Sequence, residues 1–432
     1  MKFLITFYFL CLSTMTFSIE LNHSFDRLVI KLEDGQILPK HKLIKNSKNL
    51  FENYFVVFSD DIETLKNDLL QNKSIQYIDY DYKSQKSDLP EVQEIKILEK
   101  NADDLGFNDP YAVSQWALGN LENHGMSVTR TYTNRRSSPR QEIIVAVVDT
   151  GVDYNHEDLP MWVNENEIPN NGIDDDNNGY IDDINGINTL VRDSNGNATM
   201  NVMDMHSHGT HVSGSIAAKQ NNNIGIAGIA SNAKIMAIRT VPNNSDETDV
   251  DVTEAFIYAA KNGAKIINCS FGKSHNERGM MVRDAINHIG EVYGVLIVAA
   301  AGNSMRDIDS FPTYPASFES ENLLVVASTS SNGDFSYFTN YGLVGVDVAG
   351  PGSAIISSVP RNRYSSMSGT SMASPNVAGV AAEVLANFPD LKPTELKQIL
   401  MDSSYQTPVY ASKIKSGGRV DLERALEQAT FY

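Results

Sequence analysis

Three short segments carry side chains that together could break an acyl bond. Asp149 ends an apolar run at residues 143–148, His208 lies in a glycine-containing segment at 206–214, and Ser371 lies between Gly369 and a second apolar run. A serine hydroxyl barely ionises at neutral pH, so it attacks only when a hydrogen-bonded base takes its proton. An imidazole can accept that proton and later protonate the leaving group, and a carboxylate can orient the imidazole. These residue types therefore predict nucleophilic catalysis of acyl transfer.

Each of these side chains also has a simpler explanation. Ser371 could cap the helix that follows it, and Asp149 could cap a turn. His206, His208 and His211 could bind a metal ion, because their spacing makes a plausible ligand cluster. The segments occur in the order Asp, His, Ser, which is one of the known orders of a catalytic triad, and their joint occurrence favours catalysis.

Apolar periodicity predicts the elements that hold these residues. Strands are expected at residues 143–148, 233–239, 264–270, 295–300 and 323–328, and helices at 209–219, 252–262, 279–293, 371–386, 393–402 and 422–429. Strands that alternate with helices indicate a parallel sheet covered by helices on both faces. Asp149 then lies at the carboxyl end of a central strand, where open α/β sheets place their sites. Ser371 lies at a helix N-terminus, where free N–H groups stabilise negative charge.

These motifs resemble those of the subtilases, the subtilisin-like serine proteases of peptidase family S8. The resemblance is carried by Asp-Thr-Gly at 149–151, His-Gly-Thr-His-Val at 208–212 and Gly-Thr-Ser-Met-Ala-Ser-Pro at 369–375. A fourth motif, Ala-Ala-Ala-Gly-Asn at 299–303, resembles the segment that supplies the oxyanion hole. The resemblance covers about residues 109–429 and implies a three-layer α/β/α fold with a mainly parallel central sheet.

The resemblance also implies an activity and a role for each residue. The chain would be a serine endopeptidase that acts through an acyl-enzyme intermediate, with the triad Asp149, His208 and Ser371. The side-chain amide of Asn303 and the backbone N–H of Ser371 would donate to the oxyanion. His211 would be structural.

By the same resemblance, two segments would line the pocket for the substrate side chain before the scissile bond. They are Ser270, Phe271 and Gly272, and Ala299, Ala300, Ala301 and Gly302. Small alanines leave room for a large apolar or aromatic side chain, and Ser304 carries no charge that would attract a basic one. An extended substrate would pair as an added strand near residues 245–251. The acids of that segment either favour basic substrate side chains or belong to a solvated loop; they are Asp246, Glu247, Asp249 and Asp251.

The chain divides into four predicted segments. Residues 1–18 are typical of a secretory signal peptide and predict a secreted or periplasmic protein. Residues 19–85, with strands expected at 28–32, 54–58 and 75–82 and a helix at 61–70, resemble the small α+β inhibitory propeptide of subtilases. Residues 86–108 are the expected linker with the activation cleavage, and 109–432 are the catalytic domain, with no domain after it. The alternative for the N-terminal module is an interaction domain that stays attached.

An acidic loop at residues 174–183 predicts a calcium site. Its oxygen-bearing residues alternate around Gly179, as in the first half of an EF-hand loop, and the pattern departs from that loop afterwards. The expected ligands are Asp174, Asp176, Asn178, the backbone carbonyl of Tyr180, Asp182 and Asp183. The alternative is a solvated acidic loop, although unneutralised carboxylates would repel one another.

A second calcium site is implied by resemblance alone. Residues 221–230 are similar to a calcium loop of subtilisin. The residues that would hold the ion are Gln115, Asp158, Gln220, Asn222, Ile224 and Ile226, with backbone carbonyls from Gln220 and the two isoleucines. Both calcium ions would be structural, and no catalytic metal is expected.

Composition restricts the partners of the chain. Its 432 residues carry a net charge of −19, which argues against a nucleic-acid partner because such partners need a basic surface. The expected partners are protein or peptide substrates and the chain's own propeptide, and a monomer without a membrane anchor is expected. Removal of the signal peptide would remove Cys11 and leave Cys269 as a buried thiol, so no intramolecular disulfide is expected.

Three classes of function remain open at this point. The first is an active secreted endopeptidase, which the intact motifs favour. The second is a catalytically inactive binding protein on the same fold, which would not react with organophosphonate probes. The third is a metal-dependent hydrolase that uses the histidine cluster; its activity would be lost on chelation and would resist serine reagents.

Overall fold

A computed structural model describes residues 23–83, 90–91, 93, 106–243, 247–274 and 280–432. The predicted signal peptide, most of the predicted linker and Asp246 lie outside these ranges. The described residues form a small N-terminal part, residues 23–83, and a larger α/β part.

The N-terminal part is an antiparallel sheet with a helix on one face. Its elements are β1 (His23–Leu32), β2 (Asn46–Phe51), β3 (Tyr54–Phe58), α1 (Ile62–Leu69) and β4 (Ile75–Tyr82), in the sheet order β2-β3-β1-β4. Asp61 caps the helix by accepting a hydrogen bond from the Thr64 N–H at 3.0 Å. Leu28, Ile30 and Leu65 are buried between sheet and helix. The predicted strands and helix are present, and β2 is an additional strand.

The larger part is built on a ten-stranded sheet. In chain order the strands of this part are β5 (Ile143–Asp149), β6 (Gly186–Arg192), β7 (Ala198–Thr199), β8 (Ala233–Arg239), β9 (Ile266–Cys269), β10 (Leu296–Ala300), β11 (Leu323–Thr329), β12 (Val348–Pro351), β13 (Ile355–Val359), β14 (Arg363–Met367), β15 (Tyr405–Gln406) and β16 (Gly418–Arg419). The sheet order is β15-β16-β12-β11-β10-β9-β5-β8-β6-β7, and β13 and β14 form a separate hairpin. The strands from β12 to β6 pair in parallel, which confirms the predicted mainly parallel sheet.

Helices cover both faces of this sheet. They are α2 (Val128–Thr133), α3 (His208–Ala217), α4 (Asp249–Lys261), α5 (Met280–Tyr293), α6 (Thr370–Asn387), α7 (Pro393–Asp402), α8 (Pro408–Ala411) and α9 (Leu422–Ala429). The three-layer α/β/α fold predicted from the resemblance is therefore confirmed. In the described parts of the chain, none of the helices has the length and apolar character needed to cross a membrane.

The central strand β5 shows how the sequence separates the two helical layers. Side chains of a strand point to alternate faces, so neighbouring residues enter different cores. Val145 and Val147 pack in the core that also contains residues of α3 and α6. Ala146 and Val148 pack in the opposite core, with residues of α4 and α5. Because all these residues are apolar, β5 is buried on both faces, as the continuous apolar run predicts.

Candidate active site

The end of β5 and the start of α3 place a carboxylate against an imidazole. Asp149 Oδ1 and His208 Nδ1 lie 2.7 Å apart, and both side chains are almost completely buried. A carboxylate in an ion pair can only accept, so Nδ1 carries the hydrogen and Nε2 is the basic nitrogen. Within the described residues, Nε2 has no hydrogen-bond partner. This pair therefore presents an imidazole that is oriented and able to accept a proton.

Glycine at position 209 permits the close contact between these two elements. A Cβ placed on Gly209 would lie 2.0 Å from the Gly151 carbonyl oxygen and 3.1 Å from Asp149 Cβ. No larger residue fits such an approach of helix and strand end. The glycine that follows His208 in the motif therefore has a packing role, because it brings α3 against the end of β5.

Asp204 joins the same two elements through its carboxylate. Oδ1 accepts hydrogen bonds from the Thr150 hydroxyl at 3.0 Å and from the backbone N–H groups of His206 and Ser207 at 2.8 and 2.9 Å. Oδ2 accepts from the N–H and the hydroxyl of Thr210 at 3.0 and 2.6 Å. Asp204 is buried, so it fixes the turn before His208 to the residue after Asp149.

Sequence reasoning missed Asp204. Its position just before the predicted helix was the available signal, because an aspartate there is a common helix cap.

Ser371 occupies the first turn of α6, and α6 packs against α3, the helix that begins with His208. Its hydroxyl donates to the Ser270 carbonyl oxygen at 3.0 Å and makes no hydrogen bond with His208 Nε2. In return, the Ser270 hydroxyl donates to the Ser371 carbonyl oxygen at 3.0 Å. These bonds hold the turn that contains Ser371 against the end of β9. Catalytic hydrogen bonds often form only when substrate is bound, so this geometry is compatible with a Ser–His pair.

Asn303 lies beside the turn that contains Thr370 and Ser371. Its side-chain oxygen accepts hydrogen bonds from the Thr370 N–H at 2.8 Å and from the Thr370 hydroxyl at 2.9 Å. That hydroxyl also accepts from the Gly302 N–H at 3.1 Å. Because the oxygen is fixed, the two N–H groups of the amide remain for another acceptor, and the side chain is exposed. The arrangement suits an amide that donates to a developing oxyanion.

The predicted substrate-pocket residues lie at the ends of two neighbouring strands. Ser270, Phe271 and Gly272 follow β9, while Ala299, Ala300, Ala301 and Gly302 end β10 and follow it. The two strands pair in parallel, with Cys269 opposite Ala299, so the segments emerge side by side. A Cβ on Gly272 would lie 2.9 Å from the Tyr314 carbonyl oxygen, so the backbone of Tyr314 packs closely against this glycine.

The acids near the start of α4 differ from the prediction of a solvated loop. Asp249, Asp251 and Glu247 are buried. Asp249 forms an ion pair with Lys273 at 2.7 Å, and Asp251 forms one with Arg192 at 2.5 Å. The solvated-loop alternative is therefore wrong for these three residues, and neighbouring cations neutralise Asp249 and Asp251 inside the protein.

His211 and Cys269 do not belong to the reactive groups. His211 Nε2 lies 3.0 Å from the Ile355 carbonyl oxygen, and burial, with a smaller effect of His208, lowers the pKa of His211 to about 3. Burial raises the pKa of the Cys269 thiol well above its ordinary value, so the thiol stays protonated. Among the described residues, no metal-ligand cluster contains a histidine.

The acidic loop brings three carboxylates together. Oxygen atoms of Glu167, Asp176 and Asp183 lie within 4.8 Å of one another. Burial raises the pKa values of Glu167 and Asp183, as expected when carboxylates lack a nearby cation. Several hard oxygen ligands at this spacing suit a calcium ion. Glu167 was missed by sequence reasoning because it precedes the aspartate-rich run by seven residues.

The other predicted ligands of this loop have different positions. Asp182 accepts hydrogen bonds from the Asn171 and Gly172 N–H groups at 3.1 and 3.0 Å. Asp174 accepts from the N–H groups of Asn178 and Gly179 at 3.0 and 2.9 Å. The Tyr180 hydroxyl donates to Glu254 at 3.0 Å. Asp174 and Asp182 thus hold the turns of the loop. The Asn178 amide donates to Asp176 at 3.1 Å and to Asp183 at 3.0 Å, so this predicted ligand lies beside the carboxylate cluster.

The second predicted calcium loop is compact, and Asp158 lies at its centre. Asp158 accepts from the Asn222 amide at 2.8 Å and the Ile226 N–H at 3.2 Å, whereas the Asn222 oxygen accepts from the Ile224 N–H. Both polar atoms of the Gln115 amide pair with the backbone of Ala227.

Two further residues meet the same loop. The Gln220 amide donates to the Gly228 carbonyl oxygen at 2.8 Å. Asp109, which sequence reasoning missed, is buried and accepts hydrogen bonds from the Asn221 and Asn222 N–H groups of this loop.

Comparisons with known proteins agree with this site. Residues 140–425 match the family model described as "Subtilase family". The chain is 33% identical over 345 residues to Subtilisin-like protease 1 of Plasmodium berghei, which covers 75% of this chain and 55% of that protein. It is 40% identical over 258 residues to a thermophilic serine proteinase of Bacillus sp. strain AK1, covering 58% and 55% of the two chains. The chain thus spans about half the length of these two relatives.

The chain is also similar to a third curated protease and to a protease of known structure. Thermitase of Thermoactinomyces vulgaris is 40% identical over 240 residues, which covers 55% of this chain and 72% of thermitase. A solved protease structure from Pseudoalteromonas arctica superposes with a TM-score of 0.60 at 28% identity, covering 75% of this chain and 99% of that one.

Proposed function

Because this chain belongs to the subtilase family, we propose that it is a serine endopeptidase with Asp149, His208 and Ser371 as its catalytic triad. The observation that carries the proposal is the buried 2.7 Å hydrogen bond between Asp149 and His208. This bond fixes the tautomer in which Nε2 is basic and stabilises the imidazolium that forms when Nε2 takes a proton.

The chemistry begins when Ser371 leaves its hydrogen bond to Ser270 and donates to His208 Nε2. Oγ forms a bond to the substrate carbonyl carbon while its proton moves to Nε2, and the negative charge moves to the carbonyl oxygen. The Asn303 amide and the Ser371 N–H donate to that oxygen. The imidazolium then protonates the leaving amine, which departs and leaves an acyl-enzyme that water hydrolyses by the same steps.

The experiment that tests this function is labelling with a fluorophosphonate probe. The wild-type protein should be labelled at Ser371, and the Ser371→Ala variant should not. The His208→Ala variant should keep Ser371 but label much more slowly, because the hydroxyl has lost its base. A wild-type protein that resists the probe and cleaves no protein substrate would overturn the proposal and favour a binding function. Loss of activity with a chelator but not with the probe would favour a metal-dependent hydrolase.

We also propose that the N-terminal part is an inhibitory propeptide. Its sheet contacts α4 and α5 through charged pairs. Lys48 lies 2.7 Å from Glu254 of α4, and both Lys31 and the Tyr54 hydroxyl contact Asp284 of α5 at 3.0 and 2.7 Å. Although burial raises it, the neighbouring Arg192 and Lys48 hold the pKa of Glu254 at about 2, so this pair stays charged.

Two further contacts connect the N-terminal part with the start of α4. Asp81 accepts a hydrogen bond from the Val250 N–H at 2.9 Å, in the first turn of the helix. Arg27 forms an ion pair with Asp81 at 2.6 Å and also contacts Asp251 at 3.3 Å. Asp81 is therefore an anion at the N-terminus of α4, and Arg27 from the same N-terminal sheet supports it. These contacts explain why the N-terminal part packs against α4.

Two residues, one at the end of the N-terminal part and one in the linker, contact segments of the larger part near the proposed active site. Lys83 pairs with Thr248, next to the predicted substrate-binding edge, and the Pro90 ring lies against Gly369, two residues before Ser371. Because Gly369 lies two residues before Ser371, the contact of Pro90 supports activation by cleavage within the linker. Residues 84–89, 92 and 94–105 lie outside the described residues.

We further propose that calcium stabilises the enzyme. Glu167, Asp176 and Asp183 would hold one ion, and a second would bind at the loop of Asp158 and Asn222. The ions would neutralise buried carboxylates and hold loops in place, without taking part in the reaction. Export on the predicted signal peptide completes the proposal, because calcium and protein substrates are both available outside the cell.

A further inference from the structure

A buried guanidinium without an anionic partner lies near the edge of the large sheet. Arg419 ends β16 and is only 1% exposed. Within the part of the chain that the structure describes, its Nε and Nη2 atoms have no hydrogen-bond partner, and no carboxylate forms an ion pair with it. An arginine cannot escape this cost by losing its proton, because its guanidinium stays charged in proteins. A buried charge normally has a partner, so Arg419 lacks a component of its surroundings.

The contacts that Arg419 does make are with neutral groups. Its Nη1 atom donates to the Tyr410 hydroxyl at 3.4 Å, and its guanidinium carbon lies 5.8 Å from the centre of the Tyr405 ring. The Tyr410 hydroxyl donates in turn to the Gly333 carbonyl oxygen. One long hydrogen bond and one aromatic ring offset only part of the cost of burying a full positive charge. The N–H groups on Nε and Nη2 therefore still need an acceptor, and a negative one would neutralise the site.

A second buried polar group on the same face of the sheet also has no partner. The Thr329 hydroxyl is buried and makes no hydrogen bond with any described residue. Ala327 of β11, Ala349 of β12 and Arg419 of β16 lie side by side in the sheet, so their side chains point to one face. Thr329 follows Ala327 by two residues and shares that face.

A series of ring and backbone contacts connects the two groups. Thr329 pairs with Phe335 across an isolated β-bridge, and the Phe335 ring lies 5.1 Å from the Tyr410 ring, next to Arg419. The unpartnered atoms of Thr329 and Arg419 thus adjoin the same pair of aromatic rings. A threonine hydroxyl can donate a hydrogen bond, and guanidinium nitrogens can only donate. All three unpartnered atoms therefore suit one negatively charged acceptor.

We propose that Arg419 binds a small monovalent anion, chloride in the natural case, with the Thr329 hydroxyl as a further donor. One negative charge neutralises the guanidinium, whereas a divalent anion would leave an excess charge in the core. The ion is structural, because it fixes β16 and the chain end that follows it to β12. Arg419 faces the layer of α4 and α5, whereas Ser371 begins a helix on the opposite face, so the ion takes no part in the proposed reaction.

The first test is thermal unfolding of the Ser371→Ala protein, which cannot digest itself. Sodium chloride replaces sodium methanesulfonate stepwise at constant ionic strength and constant calcium, so that screening of the net charge of −19 does not change. The melting temperature should rise by about 3 °C or more and level off below about 0.5 M chloride, as expected for a saturable site. Bromide should act like chloride. Equal melting temperatures in chloride and methanesulfonate would overturn the proposal.

Three variants of this protein assign the response to Arg419. Arg419→Met keeps the length of the side chain and removes its charge, so its melting temperature should no longer depend on chloride. Arg424 is exposed on the same C-terminal segment, and Arg424→Met should respond like the parent. Thr329→Val removes one donor and should raise the chloride concentration of half-maximal effect about fivefold, which corresponds to one hydrogen bond of ordinary strength. A chloride response that persists in Arg419→Met would overturn the site.

A crystal of the Ser371→Ala protein grown in sodium bromide locates the ion. Its anomalous scattering should place bromide within hydrogen-bond distance of Arg419 Nε and Nη2. This measurement decides the case in which Arg419→Met does not fold: bromide at Arg419 supports the proposal, and a water or carbonyl oxygen in that place overturns it. Bromide at Arg419 without any effect of chloride on the melting temperature would show an adventitious ion only and would overturn the structural role. None of these outcomes depends on protease activity.

Discussion

The side-chain oxygen of Asn303 accepts hydrogen bonds from both the N–H and the hydroxyl of Thr370, at 2.8 and 2.9 Å. Thr370 immediately precedes Ser371, so the residue beside the proposed nucleophile also orients the amide proposed to stabilise the oxyanion. One short turn therefore holds Ser371 and Asn303 in a fixed relation.

Removal of the Thr370 hydroxyl should slow the chemical step. Thr370→Val keeps the shape of the side chain but leaves Asn303 with one of its two donors and the Gly302 N–H without its acceptor. We expect kcat to fall by about tenfold with little change in KM, less than the about 10²–10³ expected for Asn303→Ala. Steady-state kinetics on one peptide measures both. Thr370→Ser keeps the hydroxyl and is the control; equal losses in the two Thr370 variants would contradict the argument.

Loss of the Asp204 carboxylate should impair catalysis without removing any reacting group. Asp204→Asn replaces one acceptor with an amide N–H₂ that opposes the donors of Thr210. The turn before His208 then loosens, and we expect kcat to fall by about 10- to 100-fold because small misplacements of catalytic groups are costly. Asp193→Asn removes a similar turn-capping carboxylate between β6 and β7 and should leave kcat unchanged. Comparable losses in both variants would point to general destabilisation.

Removal of calcium should lower the melting temperature of the protein, and Glu167, as a candidate ligand, should be needed for this effect. We expect chelation to lower the melting temperature of the Ser371→Ala protein, which cannot digest itself, by about 5 °C or more. Glu167→Gln should weaken calcium binding, measured by calorimetry, and should reduce the response to chelation. Glu165 is exposed and outside the carboxylate cluster, so Glu165→Gln should behave as the parent protein. A melting temperature that does not respond to chelation would exclude a structural calcium ion.

Truncation of Lys48 should weaken inhibition by the N-terminal part. Lys48→Met leaves Glu254 without one of its two cations at a buried contact, and breaking such a pair commonly costs 2 kcal/mol or more, about 30-fold in affinity. The inhibition constant of the separately added N-terminal part on the mature enzyme measures this effect. Lys45 pairs with Asp60 at an exposed position within the same part, so Lys45→Met should inhibit like the unchanged part. Equal potency of Lys48→Met would argue against the docking described above.

Burial of His211 should make the stability of the protein depend on pH. The pKa of His211 is about 3 in the folded protein and 6.5 by its ordinary value, so the unfolded chain takes up a proton that the folded protein refuses. The stability is therefore fully present above about pH 6.5 and is lost as the pH falls towards 3, by up to about 1.4 kcal/mol per pH unit. Urea unfolding of the Ser371→Ala protein between pH 4 and 7 measures this slope.

A histidine substitution isolates the contribution of His211. The slope of the free energy of unfolding against pH counts the protons that the chain takes up on unfolding. His211→Asn should reduce this number by about one, whatever the substitution costs in stability at neutral pH. His124 is partly exposed, and His124→Asn is the control for the same substitution outside the core. An unchanged slope in His211→Asn would show that other groups cause the acid sensitivity.

The sequence predicts the parts of this site that have local signals. Asp149 follows a continuous apolar run and Ser371 precedes another, so their places at a strand end and a helix start could be read directly. Asp204 and Glu167 were missed because neither lies in a motif: Asp204 has only the weak signal of a residue that precedes a helix, and Glu167 precedes the aspartate-rich run by seven residues. The burial of Asp249 and Asp251 was also unpredictable, since their partners Lys273 and Arg192 lie on other segments of the chain.

The side chains of β5 point to alternate faces of the sheet, and this affects how the motifs of related sequences should be interpreted. Val145, Val147 and Asp149 lie an even number of residues apart, so all three face the layer that contains α3 and α6. Insertion or deletion of one residue within β5 would turn the carboxylate towards α4 and α5, away from His208, while every motif stayed intact. A relative with complete motifs and such a one-residue change should therefore be counted among the inactive members, and strand length should be checked together with the motifs.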